Sequence, residues 1–280
     1  MFPFTKTLEK FANFILKDNG TNGENDKKNH TEIIDSRLLA TPSIAISECN
    51  NLTVKMADIA KESLLSAIET THEYNEKTVA AILENENMLD LYEDRLGTCL
   101  VQISSMKISE DDSQKVSKML HSIGDFERLG DHAVNILHTA KELHQKKLFF
   151  SEEAKAELKV LTDALTEILT LTRAAYASNN VAIATQIEPL EQVIDRLVAK
   201  IKDKHITRLQ SGGCSIEMGF ILSDLLNNYE RVSDHCSNIA VSIIELSHNT
   251  FDTHKYLNEV KYNNRDFSEV YDQYKLKYHI

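Results

Sequence analysis

The chain has 280 residues, 42% of them hydrophobic, with 31 Lys and Arg against 43 Asp and Glu for a formal net charge of −12. That apolar content supports a packed core and excludes wholesale disorder. The acidic balance, with no basic cluster, excludes a nucleic-acid partner and repels free phosphate unless metals or local basic groups intervene. Only 8 Gly and 3 Pro are too few for a sandwich or barrel, which needs turn residues every ~8–12 positions, so long helices are expected.

Residues 1–17 place Phe4, Leu8, Phe11 and Ile15 at helical spacing beside Lys6, Lys10 and Lys17. Two readings stand: an amphipathic juxtamembrane segment at a membrane surface, or a short helix docked on the body of the protein. Residues 18–31, DNGTNGENDKKNHT, carry no apolar side chain and cannot offset their ordering entropy. The stretch 18–43 therefore reads as a polar linker. No apolar run is long enough to span a bilayer and no signal peptide is apparent, so a soluble chain is expected. Cys49, Cys99, Cys214 and Cys236 are widely spaced without a C-x-x-C pair; they read as reduced core residues of a cytosolic protein.

Beyond Pro42 the apolar periodicity predicts helices near 43–76, 78–105, 110–146, 151–178, 180–210 and 215–249. Ser109 before Glu110, Asp111 and Asp112, and Ser151 before Glu152 and Glu153, are N-cap signals with acids at the positive end of the helix dipole. Gly212 and Gly213 end the fifth helix. The segment 251–280 is a polar, tyrosine-rich tail with one short helix around 266–277.

An internal repeat decides how these helices group. FERLGDHAVNI (126–136) aligns with YERVSDHCSNI (229–239), and upstream ENMLD (86–90) aligns with EQVID (191–195). Order and spacing are kept in both halves. The expected fold is all-α, two tandem, duplicated three-helix bundles of antiparallel helices, the first over 44–146 and the second over 150–250.

Glu-x-x-x-Asp occurs four times: Glu86/Asp90, Glu127/Asp131, Glu191/Asp195 and Glu230/Asp234. All four fall at corresponding places in the two halves. Residues four apart stack on one helix face, where like charges cost a few tenths of a kcal/mol. Phe126, Leu129, Ala133 and Ile136 form an apolar stripe, and Glu127, Asp131 and Asn135 lie on another face; Tyr229, Val232, Cys236 and Ile239 repeat it. The acids thus sit outside the bundle core. They make either a site for hard or carboxylate-bridged cations or a solvated acidic face relieved by Arg128 and Arg231. Those arginines could also pair with acids on an adjacent helix or hold an anion. His132 and His235 follow the aspartates and are expected to hydrogen-bond a neighbouring helix rather than a metal. Glu69/His72 and Glu245/His248 have the Glu-x-x-His spacing of carboxylate-bridged di-metal oxidases, but they occupy non-equivalent places in the repeat. No P-loop, nucleophile elbow, H-E-x-x-H or dinucleotide fingerprint is present, so no enzyme is expected.

The repeated FERLGDHAVNI and YERVSDHCSNI blocks, with EPLEQVIDRL (188–197), resemble the signature of the PhoU family, helical regulators of phosphate uptake. The resemblance covers about 44–250. It implies paired three-helix bundles and metal ions, as multinuclear iron or zinc clusters, on Glu86, Asp90, Glu127, Asp131, Glu191, Asp195, Glu230 and Asp234. The flanking FPFTKTLEKFANFI and SRLLATPSIAISE resemble the join after the last membrane segment of bacterial sodium/phosphate symporters, which carry a PhoU-like cytoplasmic domain. The implied role is control of phosphate uptake at the inner face of the cell membrane. The expected partners are a phosphate symporter's membrane domain, the membrane surface through residues 1–17, and a second copy of the chain. The alternative is a stand-alone regulator of an ABC phosphate transporter and sensor kinase.

Overall fold

The computed structural model describes residues 36–248 and 265–280. A 3-10 turn, Ser36–Ala40, leads into α1 (Pro42–Thr70), α2 (Glu76–Ser104), α3 (Glu110–Lys146), α4 (Glu152–Ser178), the single turn α5 (Val181–Ala184), α6 (Ile187–Gln210), α7 (Ile216–His248) and α8 (Arg265–Lys277). Among the described residues there is no strand, and no helix is long and apolar enough to cross a membrane. The segment 1–17, most of the linker and the first part of the tail lie outside the described residues.

Helix ends follow the local chemistry. Ser109 accepts a hydrogen bond from the backbone N–H of Asp112 (3.1 Å) and Ser151 from that of Ala154 (3.3 Å), so both expected caps form. After α6, Gly212 takes φ +73° and Gly213 donates back to the Arg208 carbonyl at 2.8 Å, the left-handed closure that glycine permits at least cost. Asn179 closes α4 in the same way with φ 48°, a conformation asparagine tolerates.

Two helices differ from expectation. α1 stops at Thr70 rather than 76: the Thr70 and Thr71 hydroxyls bond back to the Ser66 and Ile68 carbonyls, and Asn75 caps the next helix by accepting from Lys77 N–H. The expected helix over 180–210 is split into α5 and α6. Pro189 explains the split, because inside a continuous helix it lacks an N–H and crowds the carbonyl four residues back. At the third position of α6 that N–H has no intrahelical partner to lose.

α1, α2 and α3 pack on one another, as do α4, α6 and α7, which gives the two three-helix bundles. The buried face of α1 is small, with Ala45, Cys49, Ala57, Ala60 and Ala67 among its residues, and this lets its neighbours approach closely. Cys49 and Cys99 meet with sulfurs 3.8 Å apart between α1 and α2. Burial and the neighbouring sulfur push the Cys49 thiol up to about 12, and all four cysteines are free.

The bundles join through α3 against α7 and α1 against α4. One hydrophobic cluster runs through both, including an edge-to-face contact of Phe126 on Tyr176 at 5.1 Å. Arg173 of α4 grips Asp58 of α1 with two bonds of 2.6 and 2.9 Å. The tail is less solvent-like than its composition suggests: α8 packs on α6, Tyr274 and Tyr278 are buried, and Lys277 pairs with Glu167 at 2.8 Å. Tyrosines four residues apart supply the apolar stripe that docks this helix.

Candidate functional site

Each Glu-x-x-x-Asp pair on a second helix meets the aspartate of a third helix. In the first bundle Glu86 and Asp90 of α2 converge with Asp131 of α3; in the second, Glu191 and Asp195 of α6 converge with Asp234 of α7. In both triads one oxygen from each carboxylate lies within 4.8 Å of the others. Oxygens within that limit are close enough to share one cation bound at about 2.0–2.4 Å.

The close approach has a local cause. Gly130 precedes Asp131, and a Cβ there would come within 2.5 Å of Leu89 Cδ1 on α2. The missing side chain lets Leu89 bury against α3 and draws Glu86 and Asp90 toward Asp131. At the corresponding place in the second half stands Ser233, fully buried and folded back to donate to the Glu230 carbonyl at 2.7 Å. A small residue thus stands beside each aspartate, and in the first bundle its size sets how closely α2 approaches α3.

The remaining predicted acids, Glu127 and Glu230, lie beside the triads and outside them. Glu127 is 3.6 Å from Arg128, and Glu230 is 3.2 Å from Lys202 of α6. The charge of Glu230 still reaches the second triad. Partial burial, then Asp90 and Asp131, raise the carboxyl of Glu86 above its ordinary range. Asp195 is raised by burial, then by Glu230 and Asp234, and Asp234 by burial and Glu230 against the opposing pull of Arg231. Each triad is therefore a concentration of negative charge that a cation would relieve.

Arg128 and Arg231 do not reach acids on an adjacent helix. They bond Asp131 (2.9 Å) and Asp234 (3.2 Å) three residues along their own helices, so each aspartate keeps one oxygen toward its arginine. The same arginine-to-aspartate pairing recurs in both halves.

The histidines do bridge helices. His132 Nδ1 lies 2.9 Å from Asn228 Oδ1 on α7, and His235 Nδ1 lies 2.8 Å from Asp125 Oδ1 on α3. Asp125 and Asn228 each stand seven residues before the histidine of their own half, so the two bonds are related by the repeat. Residue numbers rise along α3 as they fall along α7, so the helices are antiparallel, and the imidazoles face each other across the seam with centroids 5.5 Å apart. Neither Asp125 nor Asn228 belonged to the expected site. The signal that could have found them is their shared position in the repeat. Asn238 joins the seam by donating to Asp125 at 3.4 Å, and Asn135 lines a shallow groove with Asp224 and Asn228.

The all-oxygen donor sets fit hard divalent cations and carboxylate-bridged iron, manganese or zinc. The di-metal constellation of Glu69, His72, Glu245 and His248 is not among the groupings brought together in the described residues, and the side chain of His248 lies outside them.

Comparison with known proteins agrees with the duplicated architecture. The PhoU domain profile matches residues 53–140 and 158–243, one match per bundle. The chain is 26% identical over 191 residues, 68% of its length and 82% of the relative's, to the phosphate-specific transport system accessory protein PhoU homolog 1 of Thermotoga maritima. It is 22% identical over 252 residues, 88% of its length, to the putative inorganic phosphate export protein YjbB of Salmonella typhimurium, of which it spans 45%. Its fold resembles the crystal structure of PhoU from Pseudomonas aeruginosa with TM-score 0.69 at 17% identity, covering 74% of this chain and 99% of that one. A phosphate transport system regulatory protein PhoU from Streptococcus pneumoniae gives TM-score 0.67 at 16% identity. With the profile matching more than half of its length and both bundles in register, the chain belongs to the PhoU family.

Proposed function

We propose that this protein is a non-enzymatic regulator of phosphate transport that works by binding metal ions in its two carboxylate triads and docking on a transport system at the cytoplasmic face of the membrane. The observation that carries the reading is the duplication of the site: Glu86, Asp90 and Asp131 recur as Glu191, Asp195 and Asp234, each set with one oxygen per carboxylate within 4.8 Å of the others. Accessory proteins of phosphate-specific transport systems among its relatives supply the process. A bound divalent cation would supply positive charge on an otherwise acidic surface. The residues of this chain would hold it, with Arg128 and Arg231 fixing Asp131 and Asp234 in place and α2 and α6 bringing the other two carboxylates. Occupancy would lock α2 to α3 and α6 to α7 and so stiffen the faces offered to a partner.

The stand-alone regulator is the better supported form of this reading, since relatives of that description align over most of their own length. A second form, a regulatory domain joined to a transporter, is favoured by the alignment with the phosphate export protein, which takes in 88% of this chain. The test is phosphate uptake in cells carrying the deletion, complemented with wild type or with an Asp131→Ala, Asp234→Ala double variant. Altered uptake restored by wild type and not by the double variant is expected. Uptake that ignores the deletion would end the proposal. Apolar spans in the reading frame upstream of Met1 would select the transporter-joined form.

A further inference from the structure

A second polar feature lies away from the triads. A cleft of about 520 Å³ opens between the N-terminal turns of α1 and α3 and the end of α4. Lys118 lines it and is only 7% exposed. Its ammonium donates to the Asn179 side-chain oxygen at 3.1 Å and lies 4.5 Å from the ring centroid of Tyr176. Among the described residues no carboxylate pairs with it, and burial alone pushes this amine down to about 8. A buried cation satisfied by one amide oxygen and a ring face is expensive, and charges so placed are ordinarily paired.

The fold does not need the charge. The corresponding position in the second half is Ile221, a buried core residue, so an apolar side chain satisfies the packing there. The other wall of the cleft carries the hydroxyls of Ser43 and Ser47 and the amide of Asn50, donors that suit an oxyanion. Asp111 and Asp112 also border the cleft, and their charge is tempered by Lys115, which lies 2.6 and 3.5 Å from them.

We propose that this cleft binds a small oxyanion, a phosphate or carboxylate group, that pairs with Lys118 and is held from the opposite wall by Ser43, Ser47 and Asn50. The site is independent of the metal triads and of the regulatory reading. It takes the charge of its ligand as the counter-ion that the chain itself does not provide.

The experiment is calorimetric titration of the full chain, at low ionic strength with chelator present, using inorganic phosphate, glycerol phosphate and acetate as probes. Wild type is compared with Lys118→Gln and with Ser47→Ala, an exposed position whose change leaves the core intact. Saturable binding of one equivalent per chain is expected for at least one probe, weakened at least tenfold by Lys118→Gln and severalfold by Ser47→Ala. Binding of the phosphates or of acetate identifies the class. Absence of saturable binding by all three probes overturns the proposal. So does binding that both variants retain unchanged, and Ser47→Ala keeps that comparison available if Lys118→Gln fails to fold.

Discussion

Gly130 and Ser233 show how single residues shape the candidate site. Gly130→Ala would drive a methyl group into Leu89, which is fully buried on α2. Overpacking of this kind costs about 1–3 kcal/mol, so a lower midpoint in urea unfolding is expected, together with weaker cation binding in the first bundle only. The carboxylates themselves carry a pH signature. Asp234 has its folded-state pKa raised by burial and by Glu230. Its ionised form therefore costs stability above the folded pKa, and the cost fades as pH falls into the range where the carboxyl is protonated in both states. Asp234→Asn should raise the Tm of the metal-free protein at pH 7.5, on the order of 2 °C, and lose that advantage progressively as pH falls below the ordinary aspartate value of 3.8. Addition of a bound cation at pH 7.5 should reverse the order of the two proteins.

The four Glu-x-x-x-Asp pairs were legible in the sequence, because spacing of four on a helix and recurrence in the same order in both halves need no tertiary information. Which of those acids converge was not legible. Glu127 and Glu230 share the spacing but lie outside the triads, since only the crossing of α2 on α3 and of α6 on α7 selects the aspartate. The arginine partners were open for the same reason: the sequence permits a bond within the helix or across helices, and side-chain reach decided for the former. His132 and His235 bridge helices as expected, though their acceptors could be found only once α3 and α7 were seen to run antiparallel.

Among the elements, the caps were the most readable feature. Ser109→Ala and Ser151→Ala each remove an acceptor for an otherwise unpaired helix N–H and should each cost about 1 kcal/mol, measured by chemical unfolding with no change in the slope of the transition. The break between α5 and α6 was missed because hydrophobic periodicity runs through 180–210 without interruption. Periodicity registers the buried face, whereas the backbone restriction at Pro189 acts on hydrogen bonds. The short helix in the tail was expected from its pattern, but its docking was not. Tyr274 and Tyr278 read as polar in composition yet bury their rings, with the Tyr278 hydroxyl bonding the Glu167 carboxylate.

For the whole molecule, duplication gave the two bundles, and packing makes them one body. The seam of α3 on α7 carries paired polar bonds at His132 and His235, while Phe126 and Tyr176 continue the core from one bundle to the other. Folding should therefore be a single cooperative transition, observed as one calorimetric peak with coincident loss of helical and tyrosine signals. Two separated peaks would mean that the bundles fold independently.

The most direct measurement of the central claim is the metal content of the full chain, purified without an affinity tag or chelator, beside Asp131→Ala, Asp234→Ala and the double variant. The account predicts metal in the wild-type protein, about half of it in each single variant and none in the double variant, all four proteins keeping the same far-ultraviolet helical spectrum. Metal content that is unchanged in the double variant, or absent from a stable wild-type protein supplied with iron and zinc, would contradict it and leave the triads as an acidic surface for a partner.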